Sequence, residues 1–228
     1  MAVSFPTVRI AAIQATPVIL DADASVDKAL RLLDEAANDG VQLAVFPELF
    51  VPLYESGAWA HDAASFSGWD ELWERLWENS VDVPGPLTDR IAGVCSELGV
   101  HCAIGVNERE SERPGSLYNA LLLFGPQGLL AKHRKLMPTM QERLFHGVGT
   151  GEDLGVTDTP HGRIGGLICW ENMMPLALRG LPGRPADLAC ADRGRHRRVA
   201  CEHAAHRDRV GRIRRLGAAV HPRGRLPG

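Results

Sequence analysis

Residues 180–228 contain no lysine and no aromatic side chain, and every Trp, Tyr and Phe of the chain lies at or before Trp170. That stretch therefore has no stacking platform for nucleic-acid bases, and neither zinc spacing nor a helix-turn-helix pattern marks it as a nucleic-acid module. No apolar run approaches the length that spans a bilayer, about 20 residues. The five cysteines, Cys95, Cys102, Cys169, Cys190 and Cys201, show neither paired zinc spacing nor the density of a disulfide framework, which predicts a reducing cytoplasm. The first six residues are short and neutral, and Val8-Arg9-Ile10-Ala11-Ala12-Ile13 reads as a strand, so no secretory leader is expected.

What is present, in 228 residues, is an alternation of strand and helix patterns long enough for one sizeable core. Val26, Ala29, Leu30, Leu33 and Ala37 recur at helical spacing, with Gly40 as the stop. Pro84-Gly85-Pro86 opens a second helix lined by Leu87, Ile91, Val94 and Leu98 and ended by Gly99. Residues 100–106 and 117–124 read as strands, with Gly125-Pro126-Gln127-Gly128 as the turn into a third. Trp59, Trp69, Trp73 and Trp77 mark a partly helical insertion. The last three share one face, as packing residues or as the border of a pocket or subunit contact.

Three segments carry candidate chemistry. Gly165-Gly166-Leu167-Ile168-Cys169-Trp170-Glu171-Asn172 reads as a buried strand ending in a thiol. A helix is expected to follow directly, capped by Asn172 with Pro175 in its first turn, so that its dipole favours thiolate. Taken alone, Cys169 reads first as an inert buried thiol, and only the residues that accompany it overturn that reading. Leu43-Ala44-Val45-Phe46-Pro47-Glu48 is a short strand that Pro47 stops, leaving Glu48 at a sheet edge. Lys132-His133-Arg134-Lys135 is a cationic cluster of a kind that usually lies solvated on the surface. Glu, Lys and Cys thus follow one another in the chain, each at a strand end.

Together with the segments around them, these residues resemble the carbon–nitrogen hydrolase superfamily, and within it the nitrilases. Phe46-Pro47-Glu48 is similar to the family's Glu motif, His133-Arg134-Lys135-Leu136-Met137-Pro138-Thr139 to its Lys motif, and Cys169-Trp170-Glu171-Asn172-Met173-Met174-Pro175-Leu176 to its Cys motif. Glu142, in Gln141-Glu142-Arg143, matches a second Glu of the family. The resemblance implies a four-layer α-β-β-α sandwich and hydrolysis of a nitrile to a carboxylic acid and ammonia. It assigns Cys169 as nucleophile, Glu48 as general base, Lys135 as the positive charge that stabilises the transition state, and Glu142 as the residue orienting Lys135 or a water. It implies a homo-oligomer, and the chemistry it implies needs no metal, nucleotide or flavin; the composition itself points to neither a membrane nor a nucleic-acid partner. Rival readings are an amidase or carbamoylase of the same superfamily, an inactive truncated relative, and a Cys–His hydrolase pairing Cys169 with His133, His146 or His161.

The resemblance covers residues from about Val8 to about Ala177 and then stops. Residues 180–228 hold twelve Arg and four acidic residues, a net charge of +8 in a chain whose total is −3. The family's later strands are not recognisable there, so the composition divides the chain into a truncated family domain, 1–178, and an Arg-rich tail, 179–228. A polyanion-binding extension and a disordered tail both fit that composition. The reading adopted is a reading-frame shift in a GC-rich gene, which yields Arg, Ala, Gly, Pro and His without Lys or aromatics and would leave the sandwich incomplete.

Overall fold

Alternation of side chains along the strands decides the layering. The computed structural model describes residues 8–53, 68–180, 187–191 and 214–217. Its elements begin with β1 (Ile10–Gln14), α1 (Ala22–Asn38), β2 (Leu43–Val45), α2 (Trp69–Glu78), β3 (Val81–Asp82) and α3 (Pro86–Leu98). There follow β4 (His101–Arg109), β5 (Leu117–Gly125), β6 (Gly128–Arg134), a 3₁₀ turn (Met140–Leu144), β7 (Val156–Thr159) and β8 (Gly162–Ile168). A second 3₁₀ turn (Cys169–Met173), α4 (Pro175–Gly180), β9 (Asp187–Ala191) and β10 (Arg214–Gly217) complete the set.

The first sheet has the order β10-β1-β2-β4-β5-β6, with β3 pairing on β4. It is parallel up to β4 and antiparallel across β4-β5-β6. A smaller sheet, β7-β8-β9, lies against it. On β4 and β5, Cys102, Ile104, Val106, Ala120, Leu122 and Phe124 face α1 and α3. Their neighbours Ala103, Leu121 and Leu123, with Leu43, point the other way and meet Ile164 and Ile168 of β8. Leu167 takes the opposite face of β8 and packs on Ala177 of α4. One period of two thus builds helix, sheet, sheet and the start of an outer helix.

Local signals explain the helices. Asp21 caps α1 by accepting from Ala24 N at 2.9 Å, and the buried stripe runs through Val26, Ala29 and Leu33. At the start of α3 Gly85 N donates to Thr88 Oγ1 at 2.8 Å, and Gly99 ends the helix at φ +66°. Both are the helices expected from the sequence. In α2, Leu72 and Leu76 are buried, while Trp73 stacks on Trp77 at 5.5 Å and Trp69 meets Phe145 at 5.6 Å. These tryptophans act as packing residues; Trp59 lies outside the described residues. None of the described helices is long and apolar enough to cross a membrane.

Two expectations need correcting. Composition predicts no strand beyond residue 178, yet β9 pairs with β8 and β10 with β1. Strand pairing is made by backbone N–H and C=O groups, so a ladder can form where side-chain patterning gives no sign of it. Second, the chain does not pass straight from β8 into a helix. The 3₁₀ turn intervenes, α4 starts at Pro175, and Asn172 Nδ2 donates to Cys169 O at 2.8 Å instead of capping a helix.

Phe124 is fully buried against the helices, so Phe124→Ala is expected to cost about 3–5 kcal/mol, read as a lower urea midpoint. Val148→Ala, at an exposed position, should stay within about 0.5 kcal/mol of the parent protein.

Candidate active site

Glu48 is placed by backbone. Phe46 N donates to Ala103 O at 2.8 Å and Val51 N to Gly105 O at 3.2 Å, so the segment after β2 lies along β4. It can do so because residue 105 is glycine. A Cβ there would stand 2.5 Å from Leu49 N and 2.6 Å from Pro47 O, both backbone atoms that cannot yield cheaply. Gly105 is therefore a site-building residue that motif reading missed; an isolated Gly within a strand run was its signal.

Lys135 follows the last residue of β6, its N–H donating to Asn119 O at 2.8 Å. Period two sorts the cationic cluster expected to be solvated. Arg134 turns to the helix side, where it meets Glu108 at 2.7 Å and lies 3.9 Å over the Tyr118 ring. Lys132 joins the same carboxylate. His133 and Lys135 turn inward and are buried.

The Lys135 ammonium donates to Glu48 Oε1 at 2.7 Å and to both Glu142 oxygens, at 2.9 and 2.7 Å. Asn119 Nδ2 donates to Glu48 Oε1 at 2.8 Å, and Thr139 N to Glu142 Oε2 at 2.8 Å. All three charged side chains are 1% exposed or less. Two carboxylates thus share one ammonium, leaving an excess negative charge out of water. Burial raises the Glu48 pKa, the Lys135 charge opposes this, and the Glu142 charge adds to it. Burial alone would lower Lys135; the charges of Glu48, Glu142 and Cys169 overcome it and hold the amine well above its ordinary value.

Cys169 completes the group, close enough for its sulfur to act on Lys135 electrostatically. It is 7% exposed and sits at φ +54°, a left-handed conformation uncommon for a non-glycine residue. Cys169 thus stands on a sharp elbow where β8 passes into the 3₁₀ turn. Of the rival histidines, His133 has both ring nitrogens occupied, by Asp153 Oδ1 at 3.0 Å and Glu171 Oε2 at 2.9 Å. It has no nitrogen left for a thiol. His146 Nε2 lies 2.9 Å from Asn107 Oδ1, and His161 Nδ1 lies 3.2 Å from Gln42 Nε2. Among the described residues, no group of three His, Cys, Asp or Glu side chains is arranged to hold a metal ion.

Glu48, Lys135 and Glu142, far apart or on separate elements in the chain, are thus brought into direct contact beside Cys169. Asn119, Asp153 and Glu171 also take part, and no motif in the sequence analysis assigned them.

Residues 9–220 match the family model described as carbon-nitrogen hydrolase, a match running past residue 178. A bifunctional nitrilase/nitrile hydratase NIT4 from Oryza sativa subsp. japonica is 42% identical over 201 residues, covering 85% of this chain and 54% of that protein. An aliphatic nitrilase from Sinorhizobium fredii (strain HH103) is 41% identical over 185 residues, covering 80% of this chain and 59% of that protein. The chain therefore spans little more than half the length of these curated relatives. Among solved structures, an amidase from Nesterenkonia sp. superposes with a TM-score of 0.60 at 20% identity, covering 82% of this chain and 66% of that one. Saccharomyces cerevisiae Nit3 does so with a TM-score of 0.60 at 18% identity, covering 80% and 64%. These structures share the fold. The chain belongs to the carbon–nitrogen hydrolase family.

Proposed function

We propose that the chain is built for nitrile hydrolysis, and one observation carries the reading: a buried Glu48–Lys135–Glu142 cluster beside a thiol on a strained elbow. A nitrile carbon is a modest electrophile and a free thiol titrates near about 8.5, so a neutral Cys needs a base. Glu48 takes the Cys169 proton; the raised proton affinity of its carboxylate suits the task. Sulfur bonds to carbon, the C≡N bond gives up one π pair to nitrogen, and a thioimidate forms. Water adds, ammonia leaves, and a thioester remains. A second water, activated by Glu48, releases the carboxylic acid and restores the thiol. Lys135 stabilises negative charge developing on substrate nitrogen or oxygen, and Glu142 orients its ammonium through two hydrogen bonds. The names of the curated relatives and Trp170-Glu171-Asn172 favour nitriles over amides. A homo-oligomer goes with this reading by family resemblance.

We also read residues 179–228 as departing from the family on composition alone, twelve Arg with no Lys and no aromatic side chain between 180 and 228, although β9, β10 and the family match run into that segment. Resequencing the gene around codon 178 is expected to reveal an in-frame continuation carrying Lys and aromatic residues. An unchanged reading frame would end the frameshift reading.

Aliphatic and aromatic nitriles assayed beside their amides should yield acid and ammonia from the nitriles, with turnover lost in Cys169→Ala and Glu48→Gln. Turnover of amides alone would identify an amidase instead.

The electrostatics give a signed pH test. Glu48 acts only when ionised, so Cys169 reactivity should rise with pH through a Glu48 value above 4.5. Glu142→Gln removes a charge that raises that value and should move the acid limb of Cys169 alkylation by iodoacetamide to lower pH. Lys135→Met removes one that lowers it and should move the limb upward. Peptide mass spectrometry across pH reads both, and limbs that stay in place would detach Glu48 from the thiol.

A further inference from the structure

His133 does no chemistry in the proposed reaction, yet it stands between the two segments that do. Its Nδ1 is 3.0 Å from Asp153 Oδ1 and its Nε2 is 2.9 Å from Glu171 Oε2. A neutral imidazole has a single N–H, so it would turn a lone pair toward one of these carboxylates. Both carboxylates already accept from backbone: Asp153 Oδ2 from Arg134 N at 2.6 Å, and Glu171 Oε2 from Ile168 N at 2.7 Å. Acceptors on both sides require a ring that donates twice. His133 is therefore an imidazolium at 5% exposure.

Glu171 is the second half of the device. Its Oε1 takes the N–H of Leu136, the residue after Lys135, while its Oε2 takes that of Ile168, the residue before Cys169. One carboxylate thus ties the end of β6 to the end of β8, and it can bind both only in one orientation. Asp153 in turn holds the start of the Lys135 segment through Arg134 N.

We propose that His133, clamped between Asp153 and Glu171, is a positioning residue that fixes the separation of the Lys135 ammonium and the Cys169 sulfur. Asp153, from the loop before β7, and Glu171, from the 3₁₀ turn, are the ionisable groups that face it from the packed elements. Burial would drain charge from the ring, but the two carboxylates outweigh it and push His133 up from 6.5 to about 9. Because the folded value is raised, the clamp's stabilising contribution is complete below about 6.5 and is lost as pH rises through about 9.

The kinetic arm of the test rests on the nitrilase reading; the spectroscopic arm does not. In the unmutated chain, nitrogen-15 NMR of His133 at neutral pH should show both ring nitrogens protonated, with deprotonation only near pH 9. A neutral ring at pH 7.5 would overturn the proposal. His133→Gln keeps one donor, and should lower kcat about ten- to a hundredfold with little change in KM, as expected for a misplaced reacting group. It should also abolish the change in Cys169 alkylation rate that the clamp predicts for the parent near pH 9. Parent kcat in this variant, or a parent-like alkylation profile, would reduce His133 to packing. Where His133→Gln fails to fold, Asp153→Asn serves: it should move the alkaline transition down toward the ordinary histidine range, and an unmoved transition would count against the clamp. An imidazolium confirmed by NMR in a chain that turns over no nitrile would overturn the nitrilase reading and leave the clamp standing.

Discussion

A single ammonium buried between two carboxylates is the constraint on which the remaining structure depends. Taking each ion out of water costs several kcal/mol, and a unit-charge pair at 4 Å returns about 4 kcal/mol at the effective dielectric of a protein. Lys135, Glu48 and Glu142 therefore come near to balance at best, and the excess negative charge weighs against them. Such a cluster is a poor way to stabilise a fold. It persists because Asn119, Thr139 and the backbone of three separate segments hold each member where it is. A site that stores an awkward charge next to a thiol is suited to moving a proton, and that suits acid–base chemistry better than a structural role.

The sheet period carries this constraint through the molecule. On β6, successive residues part company: Lys132 and Arg134 neutralise Glu108 on the helix side, while His133 and Lys135 enter the space between the sheets. On β4, Gly105 faces the Glu48 segment with nothing where a side chain would be, and Val106 beside it fills the helix-side core. A slip of one residue in either strand would put the ammonium in the wrong layer. The hydrophobic core thus does more than hold the sheets together, because its alternation aims His133 and Lys135 into the space between them.

Much of this was legible in the sequence, and the reason is locality. The α1 stripe of Val26, Ala29 and Leu33, the Gly85 and Gly99 boundaries of α3, and the Gly125–Gly128 turn are all set by residues within a few positions of one another. Glu48, Lys135, Glu142 and Cys169 were named from short motifs, and their chain order places each at an element end. What escaped reading depends on pairing across long separations. Asn119 lies 71 residues from Glu48, and Glu171 lies 38 from His133 and 35 from Leu136, so no local pattern links them. The strands β9 and β10 escaped for another reason. They are placed by backbone ladders to β8 and β1, while Arg214-Arg215-Leu216-Gly217 has no alternation to betray a strand. The cap expected of Asn172 failed because the 3₁₀ turn Cys169–Met173 delays α4 to Pro175, out of register with a cap at Asn172.

The turn of the Asn172 amide back to the Cys169 carbonyl explains how the elbow stays strained. A left-handed non-glycine backbone costs about 1–3 kcal/mol and survives only where its surroundings leave it no alternative. At Cys169 the carbonyl is held by Asn172 and the preceding N–H by Glu171, one hydrogen bond on each side of the strained residue. Relaxing φ from +54° would break both, and each bond in a buried site is worth more than its surface equivalent. Glu171 also holds the N–H after Lys135, so the same group that keeps the thiol raised keeps the ammonium near it. Strain at Cys169 and the placement of Lys135 are therefore not independent features. They are two consequences of one buried carboxylate that, in this reading, never touches the substrate.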